Sequence, residues 1–418
     1  MRFGQGKSAT INLNNDNKLK ELKMTRTKII IVIIAAFVLT FFVFDNIKLK
    51  KSSFLAQLLV SDILGNASSD SIAADGSLIA VANLHNARAA HTATLLKDGT
   101  VLVCGGFAGS SSNSLSSVEI YNPSSKSFTK ISDLTSPRMD HSATLLPNGK
   151  VLIAGGYNGN YLSTTEIYDP ELKTFSPGPN MNSARHGHTA TLLNNEKILF
   201  IGGVGTGWTF LSSAEIYDIQ SNKFIPSNSM TVARESHTAT LLKNGNVLIT
   251  GGHQGRRENV TIYSDSEIYD IKSNQFIATG NMNIPRRKHD AVLLADGKVL
   301  IHGGSDRRDS IFNSAEIYDP NTSLFTSISN MNYPRYKHKE MSILMPDNNV
   351  LIVGGSDKAE IYNAKTEKFT PLQGNLGAMR LFSCATLFDN GEVLITGGYD
   401  QNITAISEAR LFVLTSAN

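Results

Sequence analysis

From residue 77 onward, short apolar runs alternate with polar turns in one recurring order. "HTATLLKDGTVLVCGG" (91–106) is respelled fifty residues later as "HSATLLPNGKVLIAGG" (141–156), and five looser copies follow. Glycine pairs begin at 105, 155, 202, 251, 303, 354 and 397, spaced 43 to 52 residues apart. A period of this length points to a propeller or solenoid before any finer reading. Within each unit two apolar runs flank a polar turn, which reads as a hairpin. In five copies the turn is Asp-Gly or Asn-Gly (Asp98-Gly99, Asn148-Gly149, Asn244-Gly245, Asp296-Gly297, Asn390-Gly391), pairs that accept the positive φ of a two-residue hairpin. A third strand follows at "TEIYDP" (165–170) and a fourth near "FSPGPNM" (175–181). Four short antiparallel strands per unit predict one propeller blade, and seven units predict an all-β, seven-bladed ring.

The pattern also predicts how the ring closes. The last unit reaches its third strand at "EARLFVL" (408–414) and lacks a fourth. "SLIAVANLHNAR" (77–88) stands before the first unit and aligns with "SFTKISDLTSPR" (127–138), Leu78 taking the place of Phe128 and Leu84 that of Leu134. The N-terminal strand is therefore expected to complete the seventh blade and to hide two sheet edges.

The glycine pair, the "EIYDP" phrase and the aromatic residue of the fourth strand resemble the kelch family over residues 77–418. One departure is consistent: the family's usual tryptophan in the last strand is phenylalanine here (Phe128, Phe175, Phe224, Phe276, Phe325, Phe369). The resemblance implies a kelch-type β-propeller and says little of function, because such rings include binding modules, scaffolds and a few enzymes.

The first 76 residues follow another pattern. Residues 29–44, "IIIVIIAAFVLTFFVF", carry no charge and one polar residue, Thr40. As a helix they span roughly 24 Å, a little short of a hydrocarbon core of about 30 Å. Seven basic residues precede the run, against Asp16 and Glu21. This asymmetry predicts a cytoplasmic basic segment (1–28), a transmembrane signal anchor (29–44), and everything later outside the cytoplasm. A removed signal peptide, leaving a secreted protein, is the alternative. Residues 45–76 read as a linker, with a short amphipathic helix at 52–64.

Composition narrows the chemistry. The formal charge of +3 is small for 418 residues and by itself argues neither for nor against nucleic acid; no nucleic-acid partner is expected. Two cysteines, Cys104 and Cys384, exclude a disulfide framework or a CxxC metal site, and both thiols are expected to be free. Residues present in every blade are read as scaffold. Seven arginines (Arg88, Arg138, Arg185, Arg234, Arg286, Arg335, Arg380) are expected to pair with seven glutamates (Glu119, Glu166, Glu215, Glu267, Glu316, Glu360, Glu408). The histidines at 91, 141, 188, 237, 289 and 338 are too widely spread around a channel to converge on one metal.

Function is then sought in what differs between blades. The two residues after each arginine vary, from Ala89-Ala90 and Met139-Asp140 to Arg287-Lys288 and Tyr336-Lys337. They belong to the face over the central channel, with the loops that follow each glycine pair. Those loops add Arg256 and Arg257 in blade four and Arg307 and Arg308 in blade five, partly offset by Glu258, Asp306 and Asp309. Across the ring stand Trp208, Phe210, Phe107, Tyr157 and Tyr161. The candidate ligand-binding set is Trp208, Arg256, Arg257, Arg287, Lys288, Arg307, Arg308, Tyr336 and Lys337, with no catalytic residue, metal or cofactor assigned. A self-neutralised solvated surface is the competing reading.

The expected protein is a membrane-tethered, non-catalytic, monomeric propeller that binds a protein or glycan, acidic in part, through this face. An enzyme acting on a sugar is one alternative. Sialic-acid epimerases of similar fold use channel-face arginine, histidine and glutamate, and Arg287, His186 and Glu235 imitate that set. Copper radical oxidases, which a kelch ring also resembles, need a cysteine-linked tyrosine, a second tyrosine and two histidines. Ala89 and Met139 stand where early-blade tyrosines would, and only Tyr336 is so placed. A structural or adhesion role without a pocket ligand is the third class.

Overall fold

The computed structural model describes residues 76–109, 113–194 and 196–414. The expected membrane segment 29–44, its basic flank and the linker up to residue 75 lie outside the described residues. Among the described residues, no helix is long and apolar enough to cross a membrane.

Seven four-stranded antiparallel sheets form, one per repeat. Blade one is Thr92–Leu95, Val101–Cys104, Val118–Asn122 and Ser127–Lys130. Blades two to six repeat that order, beginning at Ser142, Thr189, Thr238, Asp290 and Ser342. Blade seven takes three strands from Cys384–Leu387, Val393–Thr396 and Ala409–Val413, and its outer strand from Ser77–Ala80. The closure read from the sequence is thus present, with Leu84 buried in the place that Leu134 holds one blade later.

The hairpin turn differs from the two-residue form expected. Leu96 N donates to Thr100 O, enclosing Lys97, Asp98 and Gly99, and Gly99 N returns to Leu96 O. This is a three-residue loop whose last member sits at φ +82°, the left-handed position of a G1 bulge. The Asx residue serves the turn through its side chain, since Asp98 Oδ1 accepts from the Thr100 amide.

The core lies between blades. One cluster joins Leu102, Cys104 and Val118 of blade one to Val151, Ile153 and Tyr168 of blade two, and another joins Leu394 and Leu411 of blade seven to Val101 and Tyr121 of blade one. Each third-strand tyrosine faces the fourth-strand phenylalanine, as Tyr121 and Phe128 do with ring centroids 4.9 Å apart. Such pairs add about 0.5–1.5 kcal/mol beyond the area they bury. Outside blade six, the first glycine of each pair leaves no room for a side chain. A Cβ on Gly105, at φ +61°, would lie 2.5 Å from the Arg138 carbonyl oxygen.

Arginine and glutamate lock each loop to its blade. Arg185 donates through Nη1 to the carbonyls of Gly202 and Ser213 and through Nη2 to Glu215 at 2.8 Å. Glu215 also accepts from the Asn182 and Ser183 amides. Equivalent pairs join Arg88–Glu119, Arg138–Glu166, Arg234–Glu267, Arg286–Glu316 and Arg335–Glu360. The seventh pair does not form. Arg380 donates instead to the carbonyls of Leu376, Gly397 and Glu408, and the Glu408 residue is exposed.

Candidate functional site

The two variable residues after each arginine have separate tasks. In every blade but the sixth the first pairs with the residue after the glycine pair, as in Met139↔Tyr157, His186↔Val204 and Glu235↔His253. The second adopts positive φ at Ala90, Asp140, Gly187, Ser236, Lys288, Lys337 and Phe382. Their backbones hand a hydrogen bond around the pore. Asp140 N donates to Ala90 O, Gly187 N to Asp140 O, Lys288 N to Ser236 O, Lys337 N to Lys288 O, Phe382 N to Lys337 O and Ala90 N to Phe382 O. The side chains of this collar line a cavity of about 210 Å³. That is below the roughly 300–1,000 Å³ usual for a drug-sized ligand.

The cavity is divided by charge. Asp140, Glu235 and Glu340 line it together with Lys288, Lys337 and Lys339. Lys337 sits among three rings, its Nζ 4.9 Å from the centroid of Tyr336, 5.1 Å from Tyr399 and 5.7 Å from Phe382, and it donates to the Tyr399 hydroxyl at 2.6 Å. Burial, reinforced by the Lys288 charge, brings its ammonium down to about 7. Burial and the Arg287 charge lower Lys288 likewise. Among the described residues, the Lys288 ammonium has no hydrogen-bonding or ion-pair partner in the protein.

The rim is aromatic over blades two and three. Two short ribbons, Val204–Gly205 with Thr209–Phe210 and His253–Gln254 with Thr261–Ile262, raise the loops that follow the third and fourth glycine pairs. At the tip of the first, Trp208 has φ +64° and is 47 % exposed. Its indole meets Tyr161 edge-on at 5.8 Å and His186 at 6.2 Å, and Tyr157 packs on Tyr161 at 5.2 Å. The Arg256 guanidinium from the second ribbon lies over the Trp208 ring. Burial works against the His186 imidazolium, but Asp140, 3.8 Å from Nδ1, and the Glu235 charge outweigh it and raise the group.

The sequence-derived set is therefore divided. Lys288 and Lys337 meet in the cavity, whereas Arg256 joins Trp208 on the rim. Arg287 is buried and committed to Asp309 at 2.8 Å, so its charge is already neutralised. Arg307 donates to the Glu258 carbonyl on the exposed rim, beside exposed Arg308. Tyr336 flanks Lys337. The Arg257 backbone opens a short 3-10 turn, and its side chain lies outside the described residues. Asp140, Lys339, Phe382 and Tyr399 were not in the set. For Asp140 and Phe382 the available signal was positional, since each is the second residue after its arginine; Lys339, four residues after Arg335, and Tyr399, after a glycine pair, carry no such signal.

Of the epimerase-like trio, Arg287 is tied to Asp309 and Glu235 stands 3.4 Å from His253, while His186 Nδ1 lies 3.8 Å from Asp140 without a hydrogen bond. The donors of a copper radical centre do not fit. Cys104 is packed in the core between blades one and two, and the Cys384 thiol donates to the His91 carbonyl at 3.1 Å. Among the described residues, neither cysteine converges with two histidines at metal-ligand distance. Among the described residues, Asp290, His302 and His338 are the one converging group of metal-ligand type, and they lie outside the channel cavity.

Comparison with known proteins agrees with this architecture. The family model described as the KLHDC2/KLHL20/DRC7 Kelch-repeats domain matches residues 174–355, and the Kelch motif model matches 88–135 and 140–182. No curated protein sequence matches the chain. Among solved structures, a "Novel fungal alcohol oxidase with catalytic diversity among the AA5 family, in complex with copper" is similar at TM-score 0.63 and 17 % identity, over 82 % of this chain and 77 % of that one. At that identity the likeness is one of fold. With the family models matching across blades one to five and into blade six, the chain belongs to the kelch-repeat family of β-propellers.

Proposed function

We propose that the protein is a non-catalytic binding propeller that grips a protein partner through its channel face. The observation that carries this reading is Trp208, half-exposed at a ribbon tip, backed by Tyr161 and His186 and covered on one side by Arg256. Tryptophan, tyrosine and arginine dominate interface hot spots because they bury large, preorganised surfaces. The unpartnered Lys288 ammonium and its neighbour Lys337, deeper in the face, favour an acidic group on the same partner. The uncharged run 29–44 with its basic flank supports a tether that places the propeller outside the cytoplasm.

A peptide-and-glycan array probed with the full-length chain tests the reading. Peptides that combine an aromatic or apolar residue with aspartate or glutamate should be retained, and Trp208→Ala should lose them. Equal retention by wild type and variant, or turnover of an arrayed glycan, would overturn it.

A further inference from the structure

The repeat supplies its own control for one place where blade five departs from its neighbours. Ring histidines reach a hydroxyl of the preceding blade: His141 to Thr92 at 3.0 Å, His188 to Ser142 at 3.0 Å, His237 to Thr189 at 3.2 Å, His289 to Thr250 at 3.0 Å, and His91 to Thr396 at 2.9 Å. His338 finds no hydroxyl in the corresponding place. The two register-paired positions that hold Thr238 and Thr250 in blade four hold Asp290 and His302 in blade five. His338 Nε2 instead faces His302 Nδ1 at 3.3 Å, and one ligand atom from each of Asp290, His302 and His338 lies within 4.8 Å of the others.

The three side chains are all but inaccessible to solvent. Their outer atoms are held as metal ligands usually are. His302 engages Ser342 Oγ through Nε2 at 2.7 Å, which leaves Nδ1 toward His338. Asp290 is fixed by the amides of Glu340 and Met341, both at 2.9 Å. Burial keeps both imidazoles neutral. A tetrahedral site with bonds of about 2.0–2.2 Å separates ligand atoms by about 3.4 Å, close to the observed histidine pair.

We propose that Asp290, His302 and His338 form a site for one divalent transition-metal ion, zinc by the donor set, joining blade five to blade six. Two imidazoles and one carboxylate suit a borderline cation, and the carboxylate charge is neutralised by it. Blade six has reason to be fastened. Its first two strands have three residues each, Ser342–Leu344 and Val350–Ile352, and the segment before them carries the extra Lys339-Glu340 with Glu340 at φ +61°. The site acts as a structural link, separate from the channel face.

The buried position calls for loading during folding. The full-length chain, stripped with chelator in denaturant, is refolded with cobalt(II) or zinc, dialysed, and examined by elemental analysis, visible absorption and thermal melting. The expected result is one equivalent of metal, the d–d bands of low-symmetry cobalt, and a higher Tm with metal than without. His302→Thr restores the residue that blade four holds in this register. It should fold, retain no metal, and melt at one temperature with or without zinc. Should it fail to fold, Asp290→Ser, the residue that begins blades two and six, carries the same readouts. A metal-free wild type after refolding would mean a hydrogen-bonded Ser342–His302–His338 chain only and would overturn the proposal. So would a folded variant that binds as the wild type does.

Discussion

Leu78 lies directly opposite Phe412, in the place that Phe128 takes opposite Tyr121 in blade one. The first described strand and the last thus meet in one aliphatic–aromatic pair that joins the two ends of the propeller. A chain beginning at residue 86 should lose this pairing and open an edge in blade seven, lowering its urea midpoint relative to a chain beginning at residue 66. Phe412→Ala, at a fully buried position, should cost about 3–5 kcal/mol. Equal midpoints for the two chains would show that closure contributes nothing.

The arginine–glutamate pairs offer a comparison within one molecule. Removing Glu215 leaves Arg185 buried with an unanswered charge, a loss worth about 3–5 kcal/mol. Glu408 is exposed, and Arg380 uses only its carbonyl. Glu408→Ala should therefore shift stability by less than about 0.5 kcal/mol. Urea melts of the two variants should differ widely, and similar losses would mean that the Glu408 carboxylate serves the blade after all.

The blades and their closure were legible because register is set by alternation along the chain and repeats with it. Phe128 and Leu78 could be matched by counting alone. What was not legible depends on where side chains point once the loops are raised. Arg256 and Trp208 are 48 residues apart, and only the two ribbons bring one over the other. Arg287 looked like an available cation, yet Asp309 in its own blade takes up its charge. Glu408 carries the family residue at the right spacing, but Arg380 turns to Leu376 O. Asp290 and His302 each look ordinary in their own strand, and only the pairing of those strands reveals them as neighbours.

Both thiols should be free but silent in the folded chain. Burial pushes Cys104 up to about 12 and raises Cys384 as well, so neither offers a reactive thiolate near neutral pH. Alkylation at pH 8 without reductant should add nothing to the native chain and two adducts once urea is present. One rapid adduct in the native state, or none in urea, would contradict this.

Lys337 should make stability depend on pH in a defined window. Its ammonium falls from 10.5 to about 7 on folding, chiefly through burial. Between those values the unfolded chain holds the extra proton, so this group makes stability rise with pH from about 7 to about 10.5. Below about 7 the lysine is protonated in both states and the cost of burying its charge is present in full. Lys337→Met should therefore be more stable than wild type at pH 6, on the order of 2 kcal/mol once channel water is allowed for. The gain should fade toward pH 10.5. A variant less stable at pH 6, or a gain independent of pH, would show that the Tyr399 hydrogen bond outweighs burial.

The last prediction separates the two halves of the channel face. Trp208 offers exposed apolar area, whereas Lys288 offers an ammonium that makes no hydrogen bond or ion pair among the described residues, though Glu235, Asp309 and Asp140 lie near enough to act on its charge. A partner that uses both should lose different things when each is removed. Trp208→Ala deletes short-range contact, which acts mainly on dissociation, and should speed release of an array-selected acidic peptide by about tenfold or more. Lys288→Glu reverses a charge facing the approaching acid and should slow association instead. Arg287→Glu should do less to association than Lys288→Glu, because Asp309 already neutralises Arg287. Raising salt to 1 M shortens the Debye length from about 8 Å to about 3 Å, so wild-type association should fall toward that of Lys288→Glu. Stopped-flow or surface-capture kinetics at two salt concentrations read all four outcomes. If association ignores both salt and Lys288→Glu while Trp208→Ala still speeds release, the partner docks on the aromatic rim alone and the pore lysines serve something else.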